Sequence, residues 1–405
     1  MSLFAAIRMP REFVFGSGQR HSLGTIARRF GTRALVCTDA RLAGEAVFLE
    51  MVAGLETAGL TVQVDAGVLP DVPRDSCTAS AEAARAFAPD MVIGIGGGSC
   101  LDLAKCVALL LSHGGAPQDY YGEFKVPGPV LPMIAVPTTA GTGSEVTPVA
   151  VLSDPERTMK VGISSPYLIP QAAICDPELT LTCPPGLTAI AGADALTHAI
   201  EAFMAIRRNP TPSLAQERVF VGKNALSDHF ALMAIGLLAK SLETACRDGN
   251  DLAARADVML GASAAGMAFG TAGTAAAHAI QYPLGADTHT AHGLGVACLL
   301  PYVMTYNRAV SMTELAAVGR AMGVPEGGEA AMADAAIKRV ADLFAAIGIP
   351  ADLAALGMQS DRIEWTVAQA LTIARLIDNN PRPIDASAMT RLVRAAYSGD
   401  RALAQ

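Results

Sequence analysis

The sequence predicts an α/β N-terminal domain with a largely parallel sheet, followed by an all-α C-terminal domain. Up to about Pro185, short runs rich in Val and Ile alternate with helix-length segments, which is typical of βαβ units. After Pro184 and Pro185 this strand signal fades, and long segments rich in Ala and Leu replace it. The chain has 405 residues, of which 51% are hydrophobic and 17% charged, so it can build two cores. We therefore predict one domain over 1–184 and a second over 185–405.

The individual elements follow from the same periodicities. Strands are predicted at 34–38, 60–64, 91–95 and 133–136, with helices over 47–58 and 77–87. Further helices are predicted at 188–205, 226–247, 251–269, 329–347, 363–377 and 386–397. The stretch Val258 to Ala286 carries no charged side chain and is long enough to cross a bilayer. Because small residues dominate it and gain little from lipid, we interpret it as one buried helix.

Charge and cysteine usage exclude several classes of protein. Thirty basic and 38 acidic residues give a net charge of −8 without any run of like charges, which argues against nucleic-acid and anionic-membrane partners. The N-terminus lacks the pattern of a signal peptide, and the eight cysteines form no Cys-x-x-Cys pair. We expect a cytoplasmic protein with reduced thiols.

Two loops that each follow a predicted strand are suited to bind an anion. In the first, Gly96-Gly-Gly-Ser99 leads into a helix, whose exposed N–H groups attract phosphate. The second, Thr138-Thr-Ala-Gly-Thr-Gly-Ser144, offers four hydroxyls and two glycines. Tight turns without a ligand are the alternative for both loops. Together they favour a shared nucleotide site. Asp39 follows the strand at 34–38, where it either accepts from ribose hydroxyls or serves as a helix N-cap or a turn residue.

A second group of residues has the chemistry of metal ligands. Asp194 and His198 are spaced i, i+4 on a predicted helix, so both side chains leave the same face. His278, His289 and His292 fall within fifteen residues, and we place His278 at the end of the uncharged helix. A buried imidazole needs either a hydrogen-bond partner or a metal. A site with three nitrogens and one oxygen is predicted, although spacing does not decide which histidines belong to it.

These motifs, in this order, resemble the iron-containing (group III) alcohol dehydrogenases over nearly the whole chain. The markers are Gly96-Gly-Gly-Ser-x-x-Asp102-x-x-Lys105, Pro137-Thr-Thr-Ala-Gly-Thr-Gly-Ser-Glu145, Asp194-Ala-Leu-Thr-His-Ala-Ile-Glu201, Tyr282-Pro-Leu-Gly-Ala286 and His292-Gly293. The resemblance implies that Asp194, His198, His278 and His292 bind one divalent metal, usually Fe²⁺ and sometimes Zn²⁺, and that His289 is not a ligand.

The resemblance also implies a site for NAD. Its residues would be Asp39, Asp71, Gly97, Gly98, Ser99, Asp102, Thr138, Thr139, Thr142 and Lys160. A carboxylate at Asp39 repels a 2′-phosphate, so NAD is expected in preference to NADP. Many relatives carry Asn where this chain has Asp71. Many also carry a histidine at the position of Tyr282, and a tyrosine is a poorer proton shuttle at neutral pH. We count Tyr282 with the catalytic residues, although the relay could run through water and the cofactor ribose.

The predicted function is reversible hydride transfer between NAD and an alcohol or its aldehyde or ketone, by a homodimer or higher homo-oligomer. Alternatives on the same fold are a hydroxyacid-oxoacid transhydrogenase, a polyol or glycerol dehydrogenase, and a metal-dependent lyase. A transhydrogenase would need an anion-binding pocket, to which Arg382 could contribute. A protein that binds nucleotide or metal without turnover is the remaining alternative.

Overall fold

The structure is a computed structural model that describes residues 3–405. Its strands are β1 (Glu12–Phe15), β2 (Arg33–Cys37), β3 (Thr61–Asp65), β4 (Met91–Gly96), β5 (Gly122–Glu123), β6 (Met133–Pro137), β7 (Val149–Leu152), β8 (Val161–Ser164) and β9 (Ala172–Cys175). Its helices are α1 (Leu23–Ala27), α2 (Ala40–Ala43), α3 (Ala46–Thr57), α4 (Arg74–Arg85), α5 (Gly98–His113), α6 (Pro185–Met204), α7 (Leu214–Glu217), α8 (Ala225–Arg247), α9 (Leu252–Ala272), α10 (Ala276–Thr288), α11 (His292–Asn307), α12 (Met312–Ala321), α13 (Glu329–Ala346), α14 (Ile363–Leu371), α15 (Ala374–Ile377) and α16 (Ala386–Ser398).

The described residues form two compact units. The α/β unit comprises Arg8–Cys183 and Gln216–Val219. The helical unit comprises Pro184–Ala215 and Phe220–Gln405, with the described part of Met1–Ile7. Each unit thus takes a short segment from the other side of residue 184, whereas the sequence predicts two contiguous domains.

Six parallel strands form the main sheet of the α/β unit, in the order β1-β9-β6-β4-β2-β3. This confirms the predicted parallel sheet. The order reverses at β2: the next strand in the chain, β3, lies on one side of it, and β4 lies on the other. The connections leaving β2 and β4 therefore diverge, which opens a crevice at the carboxyl ends of these strands. Asp39 and the triple glycine both follow strands at this edge.

Apolar residues cover both faces of this sheet, as a parallel sheet requires. On one face, Val36 and Ile93 pack in a buried cluster with residues of α1 and α3. On the other, Leu35 and Val92 pack with residues of α4 and α5. Successive residues of a strand point to opposite faces, so continuous Val/Ile runs supply both layers. A three-stranded sheet of β5, β8 and β7 lies beside this framework and was not predicted.

The helical unit is built around α6, α8 and α9, which pack against one another. A Cβ atom at Gly192 of α6 would lie 2.2 Å from Leu242 Cδ1 of α8, so the glycine permits this close contact. By length and hydropathy alone, α8 could cross a membrane, and 44% of its most apolar window is buried. The pair of α9 and α10 passes the same test as a bent span.

The prediction of one helix through Val258–Ala286 is wrong. The chain leaves α9 at Gly273, where φ is +83°, and α10 then runs at 101° to α9. Asn379 stabilises this break, because its Nδ2 donates to the carbonyls of Ala272 and Thr274 at 3.0 and 3.1 Å. His278 consequently lies in the first turn of a second helix instead of at the end of the first.

Raising the pH above about 9 is expected to destabilise the protein through its buried thiols. None of the eight cysteines forms a disulfide in the described chain, and burial raises the pKa of Cys298 from 9.0 to about 12. The unfolded chain loses this proton first. The stabilising contribution is therefore complete below pH 9 and is lost as the pH rises through 12. Cys298→Ala should make the decline in unfolding free energy shallower by about 1.4 kcal/mol per pH unit. Urea titrations across pH 9–12 measure this slope, and an unchanged slope would contradict the expectation.

Candidate active site

Four metal-ligating side chains of the helical unit converge: Asp194, His198, His278 and His292. Each offers one ligand atom, and all four atoms lie within 4.8 Å of one another. Asp194 Oδ1 is 3.6, 3.9 and 4.0 Å from the Nε2 atoms of the three histidines in chain order. These separations are too long for hydrogen bonds. They approach those of atoms that share a metal at about 2.1 Å, which lie about 3.4 Å apart in a tetrahedron and further apart at wider angles.

Helix α6 supplies the first two members of this quartet. Asp194 and His198 are one turn apart on a face that is buried within the unit, with 4% and 5% of their surfaces exposed. The ring of His198 stacks with two other rings. Phe269 stacks on it with centroids 4.2 Å apart, and His278 stacks with centroids 4.8 Å apart. This packing fixes the plane of an imidazole that would otherwise rotate.

The third member, His278, is held by a carboxylate. Its Nδ1 lies 2.6 Å from Glu201 Oε2, and its buried Nε2 has no hydrogen-bond partner among the described residues. Burial by itself would raise the pKa of Glu201, but His278 and two backbone N–H donors bring that pKa below its ordinary value. An unpartnered, buried Nε2 aimed at a carboxylate and two further imidazoles fits a divalent ion.

The fourth member, His292, opens α11, and the glycine after it explains how this helix approaches α6. A Cβ atom at Gly293 would lie 2.6 Å from the Ile190 carbonyl oxygen and 3.0 Å from Asp194 Cβ. Any larger residue would therefore push His292 away from Asp194. Tyr282 lies beside the quartet, with its ring centroid 6.0 Å from that of His292. His289 is exposed at the end of α10 and is not part of the cluster.

In the α/β unit, the two predicted anion-binding loops meet at the carboxyl ends of β4 and β6. Thr138 N–H donates to the Gly96 carbonyl at 2.9 Å. A Cβ atom at Gly98 would lie 2.6 Å from Thr142 Cγ2, and one at Gly97 would lie 3.5 Å from Thr139. Gly97 is the N-cap of α5, and Gly98 and Ser99 form its first turn. The free N–H groups of a 16-residue helix therefore lie beside the hydroxyls of the second loop.

Asp39 caps α2. Its Oδ1 accepts from the Leu42 N–H at 2.9 Å, and its Oδ2 lies 3.9 Å from Cys100 Sγ. The structure thus shows the helix-capping alternative for this residue. One carboxylate oxygen is used for the cap, and the ribose contact stays a prediction.

Asp102 and Lys105, both on α5, connect that helix to the second loop and the segment after it. Asp102 accepts from the Ser144 hydroxyl at 2.6 Å and from the Val151 N–H at 3.0 Å, and burial raises its pKa. Lys105 donates to the carbonyls of Thr147 and Val149, and burial lowers its pKa to about 8. Both carboxylate oxygens of Asp102 are thus engaged within the unit, which is the arrangement of a positioning residue.

The structure also brings together two residues that the resemblance implicates separately. Lys160 Nζ donates to Asp71 Oδ1 at 2.5 Å. Asp71 and Val72 both have positive φ, 61° and 46°, although neither is glycine. Two backbone hydrogen bonds hold this conformation, because the Ser153 N–H donates to the carbonyls of both Asp71 and Val72. Positive φ at a β-branched residue is unusual and is often found near functional sites.

Arg382, considered above as an anion-binding residue, has internal partners. Its Nη1 donates to the Tyr306 carbonyl at 2.7 Å, and its guanidinium lies 4.1 Å from the centroid of the Tyr306 ring.

Glu201 contacts His278 but was not predicted from the sequence as a site residue. Its spacing of i+7 from Asp194 and i+3 from His198 places all three on one helix face, which is the signal that could have found it.

Comparisons with known proteins give matches to both the N-terminal and the C-terminal part of the chain. The sequence profile described as iron-containing alcohol dehydrogenase matches residues 10–177, and that of the Fe-containing alcohol dehydrogenase family, C-terminal, matches residues 188–397. The chain belongs to the iron-containing alcohol dehydrogenase family. This membership confirms the predicted fold class, the enzyme class of NAD-dependent alcohol dehydrogenase, and NAD and iron as cofactors.

Individual relatives cover almost the whole enzyme. Long-chain-alcohol dehydrogenase 1 of Geobacillus thermodenitrificans is 36% identical over 405 residues, covering 98% of each chain. NAD-dependent methanol dehydrogenase of Bacillus methanolicus is 31% identical over 391 residues, covering 96% of this chain and 98% of its own. The crystal structure of a 1,3-propanediol oxidoreductase matches with a TM-score of 0.90 and 30% identity, covering 97% of this chain and all of that one.

Proposed function

We propose that Asp194, His198, His278 and His292 hold one divalent iron ion, at which an alcohol is oxidised reversibly by NAD⁺. The convergence of their four donor atoms within 4.8 Å carries this proposal. When bound, the ion would supply Lewis acidity toward the alcohol oxygen, and NAD⁺ would be the hydride acceptor. Three imidazoles and a carboxylate suit Fe²⁺ and bind Zn²⁺ at least as strongly, so metal supply decides which ion is found.

Exposure indicates the side from which substrate reaches the quartet. The side chain of His292 is 29% exposed, whereas those of the other three are between 4% and 7% exposed. The substrate therefore approaches past His292 and Tyr282, and the buried side excludes water. Tyr282 is assigned a role in orienting the alcohol there, and its part in proton transfer stays a prediction.

The proposed cofactor site lies in the crevice of the α/β unit. The N–H groups at the start of α5, from Gly97 to Ser99, bind the diphosphate, helped by the hydroxyls of Thr138, Thr139 and Thr142. Lys160 adds a positive charge, which Asp71 partly neutralises. Asp102 is assigned the positioning role that its contacts support, and Asp39 faces the adenosine ribose.

Asp39→Asn is expected to relax the preference for NAD⁺ over NADP⁺ about tenfold. Asparagine also caps helices well, so the substitution removes the charge and keeps α2. Two negative charges about 6 Å apart at an effective dielectric constant of about 40 repel by about 1.4 kcal/mol, which is a factor of ten. The ratio of kcat/KM values for the two cofactors measures this. An unchanged ratio would remove Asp39 from the cofactor site.

The decisive experiment is anaerobic loading of the metal-free protein with Fe²⁺, followed by assays of NADH oxidation against a panel of aldehydes and ketones. The relatives named above act on long-chain alcohols, methanol and 1,3-propanediol, so the panel must vary chain length and hydroxyl number. We expect turnover that chelation abolishes and Fe²⁺ restores. A fully loaded enzyme that turns over no member of the panel would overturn the proposal.

An uncharged substrate is proposed over a hydroxyacid, because Arg382 is already engaged with Tyr306. Mixing a hydroxyacid with an oxoacid in the absence of free cofactor should give no exchange of hydride. Exchange under these conditions would favour the transhydrogenase.

We further propose a cytoplasmic homodimer or higher homo-oligomer. Eight cysteines that form no disulfide among the described residues support a reducing compartment. Light scattering of the purified protein tests the oligomeric state.

A further inference from the structure

Glu201 makes three contacts that together serve two purposes. Its Oε1 accepts from the Ala277 N–H at 2.7 Å, and its Oε2 accepts from the Ala275 N–H at 2.9 Å. The third contact is that of Oε2 with His278 Nδ1 at 2.6 Å. The carboxylate is 3% exposed and lies on α6, whereas all three donors lie at the start of α10.

The first purpose concerns the helix. Ala275 precedes α10 and offers no side-chain cap, so the N–H groups of its first turn need an acceptor from elsewhere. Glu201 supplies that acceptor from a neighbouring helix. It thereby fixes where the chain turns by 101° after α9, and hence where His278 lies.

The second purpose concerns the proton of His278. An ionised carboxylate only accepts hydrogen bonds, so Nδ1 must carry the hydrogen. The lone pair of the neutral ring is then on Nε2, the atom that points toward Asp194 Oδ1 at 3.9 Å. A ring with the opposite tautomer would point a hydrogen at the metal site and could not act as a ligand.

We propose that Glu201 is the positioning residue that prepares His278 for metal binding, through the single carboxylate that also starts α10. The inference rests on the proposed metal site. Partners of this kind typically account for 10- to 100-fold in metal affinity. A glutamine at this position has one acceptor oxygen for three donors, so at least one donor would meet the amide NH₂ group.

The test compares Glu201→Gln with Asp385→Asn in the full-length protein. Asp385 caps α16 by accepting from the Ala388 N–H at 2.8 Å and is not a member of the quartet, so its variant controls for the loss of a helix-capping carboxylate. Zn²⁺ affinity is measured by competition with a chromophoric chelator, and apo-protein unfolding is measured in parallel. We expect Zn²⁺ binding 10- to 100-fold weaker in Glu201→Gln, unchanged in Asp385→Asn, and cooperative unfolding of both apo-variants.

A second readout reports on the hydrogen bond itself. In the Zn²⁺-loaded wild type, ¹⁵N-histidine labelling should reveal a downfield imidazole N–H protected from exchange, assigned by its loss in His278→Ala. This resonance should be absent or shifted in Glu201→Gln. Wild-type Zn²⁺ affinity in Glu201→Gln, or equal weakening in Asp385→Asn, would overturn the inference while leaving the metal site intact. Failure of the wild type to bind Zn²⁺ or Fe²⁺ would overturn the metal site and the inference with it.

Discussion

His278→Ala is expected to abolish tight metal binding and to lower kcat/KM for alcohol oxidation by about 10³-fold or more. The substitution removes one of four donors and leaves Glu201 buried with one partner fewer. Lewis-acid stabilisation of an alkoxide is worth several kcal/mol, and about 4 kcal/mol corresponds to a thousandfold. Metal content by elemental analysis and steady-state kinetics of the Fe²⁺-treated protein measure the two effects.

The matched control is His289→Ala, which removes an exposed imidazole three residues before His292 and should leave both measurements unchanged. His292→Ala provides a second test, because its side chain is the most exposed of the four and its removal threatens the fold least. Stoichiometric metal and wild-type turnover in both His278→Ala and His292→Ala would be incompatible with the proposed site.

Gly98→Ala is expected to raise KM for NAD⁺ by about 10- to 100-fold without changing metal content. The added Cβ atom would lie 2.6 Å from Thr142 Cγ2, so the two loops must separate. Separation moves the N–H groups of α5 away from the diphosphate. Losing one hydrogen bond to a charged group costs about 1.5–3 kcal/mol, which corresponds to this range of KM. Initial rates at varied NAD⁺ concentration measure the effect.

Gly54→Ala is the control for this prediction. Gly54 lies inside α3 of the same unit, and a Cβ atom there meets nothing within 4 Å. Alanine favours a helix by about 1 kcal/mol over glycine, so this variant should be slightly more stable and kinetically unchanged. If Gly98→Ala binds NAD⁺ as Gly54→Ala does, the triple glycine is a structural turn and the diphosphate binds elsewhere.

Much of the fold can be predicted from the sequence, because strand and helix patterns depend on residues close together in the chain. The strands at 33–37, 61–65, 91–96 and 133–137 differ from their predicted bounds by one residue or less at every end. Their Val/Ile runs satisfy both faces of a parallel sheet. The main error was the prediction of a single uncharged helix. An uncharged composition indicates that a segment is buried, but it does not indicate where a helix ends. The turn of 101° after α9 depends on Gly273 and on a hydrogen bond from Asn379, about a hundred residues away.

The candidate site likewise has a part that the sequence predicts and a part that depends on tertiary structure. Asp194 and His198 could be paired from their spacing, because one helical turn fixes their separation. The amino-acid sequence by itself thus determined the family, the fold class and the chemical types of the ligands. The resemblance implied His278 and His292 as their partners and excluded His289, but only the tertiary structure shows the four side chains together. It also reveals the contacts of Asp102 and Lys105 with the second loop and the segment after it, and the contact of Glu201 with His278. These assignments depend on packing between segments distant in the chain, and no local periodicity encodes such distances.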